Sequence, residues 1–278
     1  MHTATSSYGP RLIAAPTGPL RAAAIVRPTS AIELAPPLPG EPNAVYGRAL
    51  TEQGVLVKTL RDFRCEVTEL DAHSSDPFAC ALVDAAIVFE NGAVMMRPSA
   101  MTRRMEVAWL ENEFVKHDIP IAGHIAAPGL IDGSDVLMAG TTAFIGASAR
   151  SNALGRSGFA QIARAHGFST VEVRLGPGVR ALRAVAGVIA RDAVVLGGPH
   201  LIDHAAFAGF KTVVAPRGDE LGAGVLNLGE QHVLADIRFP RVIDLLRKSG
   251  TTVEAIDLYD FARIGLAPSM LVADIKRG

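Results

Sequence analysis

Asp84-Ala-Ala-Ile-Val-Phe-Glu-Asn-Gly-Ala-Val-Met-Met96 is two short apolar runs joined by Asn91-Gly92. Asn-Gly between apolar runs signals a β-hairpin, because both residues tolerate the positive φ that a two-residue turn demands. The arrangement returns three times downstream. Asp135-Val-Leu-Met-Ala-Gly-Thr-Thr-Ala-Phe-Ile-Gly146 turns near Gly140, and Gly187-Val-Ile-Ala-Arg-Asp-Ala-Val-Val-Leu196 turns at Arg191-Asp192. Gly224-Val-Leu-Asn-Leu-Gly-Glu-Gln-His-Val-Leu-Ala235 turns near Gly229-Glu230.

Most of these hairpins lead into a helical stretch and then into another apolar run. Residues 102–116 carry Met105, Trp109, Leu110 and Phe114 close to a 3.6-residue period. Residues 151–166 carry Leu154, Phe159 and Ile162 and stop at Gly167, while residues 240–248 start on Pro240 and stop before Gly250. Residues 205–210 are a shorter, weaker case. The runs that follow lie at 119–122, 170–173, 212–215 and 252–256.

The unit therefore reads strand, strand, helix, strand, repeated every ~40–55 residues. Four copies occupy 80–256. The two ends supply a split fifth copy: a strand at 22–26, a helix at 45–63, a strand at 65–70 and a closing strand at 270–273. A unit that cannot bury its own face must stack on its neighbours, and five that share their termini close a ring around a central site. The expected fold class is α/β, a five-bladed ββαβ propeller with pseudo-fivefold symmetry. It forms one domain over 1–278, with an N-terminal extension at 1–20 and a Pro-rich loop at 28–42.

Composition narrows the function classes. The chain has 278 residues, 27 Lys plus Arg against 28 Asp plus Glu, and a formal net charge of −1, which argues against a nucleic-acid partner. Apolar residues make up 49 %, too many for a disordered chain, yet no ~18-residue apolar window suggests a membrane span. Residues 1–19 lack the pattern of a secretory signal, so the expected location is cytoplasmic. The cysteines Cys65 and Cys80 form no disulfide framework and no zinc spacing. No motif implies a cofactor or a metal, and self-association into a homo-oligomer stays open.

A ring of five such units is the pentein architecture, and several segments resemble its dimethylarginine dimethylaminohydrolase, arginine deiminase and amidinotransferase branch. Ala24-Ile-Val-Arg-Pro28 resembles the opening strand. Asp84-Ala-Ala-Ile-Val88 resembles the segment led by a guanidine-binding aspartate. Arg97-Pro98 with Thr102-Arg-Arg-Met-Glu106 resembles an Arg-Pro, Arg-Arg-x-Glu signature. Ala127-Pro-Gly-Leu-Ile-Asp-Gly-Ser-Asp-Val136 and Ile145-Gly-Ala-Ser-Ala-Arg-Ser-Asn152 resemble the next two motifs, in the same order and spacing. The resemblance implies covalent chemistry: a cysteine attacks a guanidinium carbon, a histidine partnered by a glutamate moves protons, and acidic residues hold the cation.

The chain departs from that pattern where the chemistry sits. In Ile264-Gly-Leu-Ala-Pro-Ser-Met-Leu-Val-Ala273 an ungapped match puts Met270 at the cysteine position, after Ser269. In Ala181-Leu-Arg-Ala-Val185 it puts Arg183 at the histidine position, and Asp132 stands at the glutamate position. A thioether cannot ionise and a guanidinium stays protonated, so this covalent route is closed.

Candidate roles follow. Asp84 and Asp132 are two carboxylates expected to face one cavity and do acid–base work. Ser269 is the remaining nucleophile type but needs an adjacent base, a role open to Asp132; a carboxylate-activated water is the alternative nucleophile. Arg183 is either an anchor for a substrate carboxylate or a structural salt bridge to Asp84 or Asp132. Arg150 and Arg104 match positions that the resemblance assigns to a substrate carboxylate, and Met270 lines the same site. Asp135 fixes backbone, and Glu106 pairs with an arginine on a helix surface.

The expected function is a noncanonical pentein enzyme acting on a small polar, carboxylate-bearing substrate, by C–N hydrolysis or ring opening. The alternatives are a catalytically silent homologue that binds a small molecule or a partner, and a metal-dependent enzyme on the same scaffold.

Overall fold

The computed structural model describes residues 7–229 and 231–278. Glu230, at the fourth hairpin turn, and the first six residues of the expected N-terminal extension lie outside the described residues.

Five three-stranded sheets surround one axis. The second blade is β3 (Ala86–Phe89), β4 (Gly92–Met95) and β5 (Ile121–His124). The third is β6 (Val136–Ala139), β7 (Thr142–Ala147) and β8 (Ser169–Arg174), and the fourth is β9 (Ala186–Ala190), β10 (Ala193–Leu196) and β11 (Lys211–Val214). The fifth is β12 (Leu226–Gly229), β13 (His232–Asp236) and β14 (Thr252–Ile256). The first blade joins the two ends of the chain: β15 (Ala273–Arg277) pairs antiparallel with β1 (Leu20–Val26), which pairs parallel with β2 (Glu66–Leu70). The same antiparallel-then-parallel order holds in every blade. Each parallel step needs a crossover, and this is why a long segment separates the second and third strands.

The crossovers are α1 (Tyr46–Asp62), α2 (Met101–Lys116), α3 (Ala153–Ala165) and, in the fifth blade, Pro240–Lys248. The fourth blade has only a single 3₁₀ turn, His204–Phe207, where the sequence suggested a weak helix. Gly209, at positive φ, and the strand start at Lys211 leave no room for a second turn.

Two further expectations are corrected. The closing strand does not begin at Met270. Pro268 opens a helical turn through Leu271, and the strand alternation starts only at Ala273, with Ile275 and Arg277 buried. The buried stripe of α2 is Arg103, Glu106, Leu110 and Phe114, while Met105 is 67 % exposed. The helix is rotated from its apolar reading because two charged side chains on it are drawn inward.

A short turn precedes the innermost strand of every blade: Leu82–Asp84, Gly133–Asp135, Leu182–Val185, Glu220–Ala223 and Pro268–Leu271. Neighbouring turns pack on one another around the axis. Close approach is enforced by glycine; a Cβ on Gly133 would lie 1.9 Å from the Val83 carbonyl oxygen. Of the candidate site residues, Asp84, Arg183, Ser269 and Met270 sit on these turns and Asp132 precedes one, while Arg150 follows β7 and Arg104 lies in α2.

Candidate functional site

Asp84 ends the first inner turn and is fully buried. Its Oδ2 accepts from Arg103 Nη1 at 2.6 Å and from Arg150 Nη2 at 2.9 Å, and its Oδ1 accepts from the Ser134 hydroxyl. Arg150 Nη2 also forms an ion pair with Asp132 Oδ2. Asp132 Oδ1 accepts from Ser99 N at 2.9 Å. Arg103 continues outward through Nε to Glu106 Oε2 at 2.9 Å and through Nη2 to the Ala81 carbonyl. The Ser74 hydroxyl donates to Glu106.

The motif residues are held by equally local bonds. The Ser148 hydroxyl donates to Asp135 and accepts from Arg150 N, fixing the arginine's backbone. Asn152 caps α3 by accepting from Gly155 N and also accepts from Leu130 N, which ties Ala127–Val136 to the next motif. Asp135 Oδ1 accepts from Leu182 N, joining the second inner turn to the third.

Burial and charge set the protonation of this cluster. Burial would raise the Asp84 carboxyl, but the Arg150 and Arg103 guanidiniums outweigh it and hold the group well below the usual carboxylate range. Burial and the Asp84 charge push Asp132 up to about 6. Burial pushes Asp135 up to about 7, despite its bonds to Ser148 and Leu182.

The structure unites Asp84, Asp132 and Arg150, but the two carboxylates face Arg150 rather than a cavity, and both are completely buried. Arg183 pairs with neither. Its Nε donates to the Val136 carbonyl at 2.7 Å and its Nη1 to the Ser269 carbonyl at 2.9 Å. The Ser269 hydroxyl donates to the Gly224 carbonyl at 3.1 Å. Met270 is buried, and its Sδ accepts from Ala267 N at 3.5 Å. Arg104 turns to the Pro98 and Ser99 carbonyls, outside the cluster. Glu106 does pair with an arginine, but inside the protein.

Sequence reasoning missed two arginines. Arg103 sits in the quoted Arg-Arg motif, and the charged positions 103 and 106, one helical turn apart, were the available signal. Arg180 follows Gly178, which has φ +77°, and stacks with its guanidinium carbon 3.5 Å from the centre of the Phe78 ring. Burial first, then the Arg150 charge, lowers it to about 10, and its Nε has no partner. Nothing near it in sequence marks it out. The Pro-rich loop covers this end: Leu38 N donates to the Arg263 carbonyl, and the Leu38 and Arg180 side chains flank Gly265.

Neither cysteine can serve this site as a thiolate. Both are buried, and burial pushes each thiol up to about 12. A thiol reagent such as dithionitrobenzoate is therefore expected to label neither one in the native protein at neutral pH and both after denaturation. Fast labelling of the native protein would contradict this reading of the environment.

No family model matches the chain. It is 29 % identical over 220 residues to N(G),N(G)-dimethylarginine dimethylaminohydrolase of Streptomyces coelicolor, covering 79 % of this chain and 83 % of that one. The structure matches the dimethylarginine dimethylaminohydrolase of Pseudomonas aeruginosa, complexed with citrulline, with a TM-score of 0.81 and 22 % identity over 91 % of this chain and 98 % of that one. It matches the N-terminal domain of a cyanobacterial arginine dihydrolase with a TM-score of 0.80 and 14 % identity, over 92 % and 97 % of the two chains. The homologues are pentein-superfamily proteins, and the five-module α/β architecture is the one they share.

Proposed function

We propose that this pentein binds a small carboxylate-bearing molecule without attacking a guanidinium carbon. One observation carries the reading. Asp84, which the resemblance assigns to a substrate guanidinium, and Asp132, at the glutamate position, already hold the guanidinium of Arg150. A guanidinium substrate would have to displace a buried, multiply bonded side chain before it reached them. Met270 and Arg183 at the thiol and imidazole positions point the same way, because neither offers a nucleophile or an ordinary proton carrier. Ser269 does not replace them, since its hydroxyl proton is directed at a backbone carbonyl. An arginine at the histidine position with no carboxylate within ion-pair distance among the described residues suits an anion better than a cation.

The test has two parts. Incubation with N(G),N(G)-dimethylarginine or arginine is expected to yield no citrulline above the protein-free control. In a thermal-shift panel of small carboxylates and guanidiniums, compounds with a carboxylate are expected to raise the melting temperature, while butylguanidine, which lacks one, leaves it unchanged. Citrulline formation, or stabilisation by butylguanidine equal to that by carboxylates, would overturn the proposal.

A further inference from the structure

The buried cluster around Asp84 closes one end of the ring, but a cavity of about 260 Å³ opens the other. It runs along the axis between the inner strands. Its mouth lies among the hairpin turns, where Glu90, Gly140 and Thr141 meet His166 and Phe168. Its lining is apolar and polar in near-equal parts, and the apolar part comes from all five inner segments: Val83, Leu137, Val188, Leu226 and Val272. Its polar lining at depth is Arg183, Ser269, Asn227, Asp274 and Arg277. Asp84 and Asp132 do not line it.

The polar groups at depth are unequal. Arg277 is spent, with Nε on Asp274 Oδ2 at 2.7 Å and both terminal nitrogens on Gly18 and Asn227 oxygens. Asn227 donates to the Ile189 carbonyl and accepts from Arg277. Asp274 answers the Arg277 charge, and its Oδ1 is sealed from solvent without a partner. Ser269 donates to Gly224. Arg183 is the least satisfied: two of its nitrogens bond carbonyls, and among the described residues Nη2 has no partner and no carboxylate comes within ion-pair distance, Asp274 acting on it only from farther off. A cation deep in a narrow, half-apolar cavity is poorly solvated, and an anion that brings its own apolar tail relieves both the charge and the apolar part of the lining.

We infer that this axial cavity is a binding site for a small monocarboxylate with an apolar tail, entered from the hairpin face, with the carboxylate on Arg183 and the tail along Val83, Leu137 and Val188. The inference rests on the carboxylate reading above and adds the place, the route of entry and the tail. Neither Arg104 nor Arg150 takes part, and no residue of the Asp84 cluster lines the cavity.

Hexanoate is the probe, with acetate lacking the tail and hexanamide lacking the charge. Calorimetric titration of the full chain is expected to show hexanoate binding at least about tenfold tighter than either control. Val188→Phe fills the shaft and is expected to weaken hexanoate at least about tenfold. Should that variant fold poorly, Thr141→Trp at the exposed rim leaves the core untouched and is expected to weaken hexanoate by obstructing entry. If hexanoate binds the wild type and both substitutions leave its affinity unchanged, the axial site is overturned while the carboxylate reading stands. If no carboxylate binds the wild type, that reading fails as well. If acetate or hexanamide matches hexanoate, the proposed pairing of charge and tail is wrong.

Discussion

Asp84→Ala is expected to cost about 3–5 kcal/mol of folding stability, read as a lower denaturant midpoint with an unchanged slope. The size follows from what the carboxylate neutralises. Arg103 is 2 % exposed and bonds Asp84, Glu106 and one carbonyl, so removing Asp84 deprives Nη1 of its acceptor where water cannot reach and leaves Glu106 as the one remaining carboxylate partner. Arg150 loses one of its two carboxylates in the same step. Ser134 is left with a buried hydroxyl and no acceptor. The exposed Lys58–Asp62 pair supplies the contrast: at 2.6 Å it is as short as Arg103–Asp84, yet Asp62→Ala is expected to leave the midpoint in place, because water replaces the lost partner. Replacing Asp84, Arg103 and Arg150 together with Leu, Met and Met is expected to recover little of the loss, because the buried carboxylates of Glu106 and Asp132 then lose their own arginines. A cost below about 1 kcal/mol for Asp84→Ala would mean that the cluster is not the buried network described here.

The second large effect is a reversed pH dependence. Most carboxylates stabilise a fold as the pH rises, but Asp135 is pushed up to about 7, first by burial. A carboxyl whose folded pKa lies above its unfolded one takes up a proton on folding. Its contribution is complete below about pH 4, the unfolded value, and is lost as the pH climbs through the folded one. Between about pH 5 and about pH 8, Asp135 alone is expected to remove roughly 2–3 kcal/mol of stability. Asp132, at about 6, and Glu52, which burial first and then the Asp260 charge push up to about 8, act in the same direction. Asp84 acts oppositely, but only in strong acid, since its folded value lies below the unfolded one. Asp135→Asn imitates the protonated side chain and keeps an acceptor for Leu182 N, so it is expected to flatten the slope and to match or exceed the wild type near pH 8. Melting temperatures across that range decide the matter. A wild-type profile that rises from pH 5 to pH 8, or an Asn variant with the wild-type slope, would refute the assignment.

Together the two predictions separate stability from function. The Asp84 cluster holds two inner turns to the second blade's helix, while the proposed ligand site lies beyond it on the same axis. The acid–base roles expected for Asp84 and Asp132 need an accessible carboxylate, and in this structure both are spent on the chain's own arginines.

By itself the sequence determined the repeat, and with it the ring. Hairpin turns, helix stops and apolar runs are short-range signals, and the boundaries they give for the blades lie within a few residues of the observed ones, down to the shared first blade. The closing strand was misplaced because Pro268 spends four residues on a helical turn that an apolar run does not announce. The tertiary structure alone decided which charge meets which. Arg103 and Arg104 are adjacent in one motif, yet the rotation of α2 sends the first to Asp84 and the second to surface carbonyls. Arg150 reaches back 66 residues to Asp84, and Arg183, equally able to pair by sequence, bonds backbone carbonyls with no carboxylate within ion-pair distance among the described residues. Ion pairs and cavities depend on where separate turns converge, and convergence is set by five blades packing around an axis, a fact with no local signature in the chain.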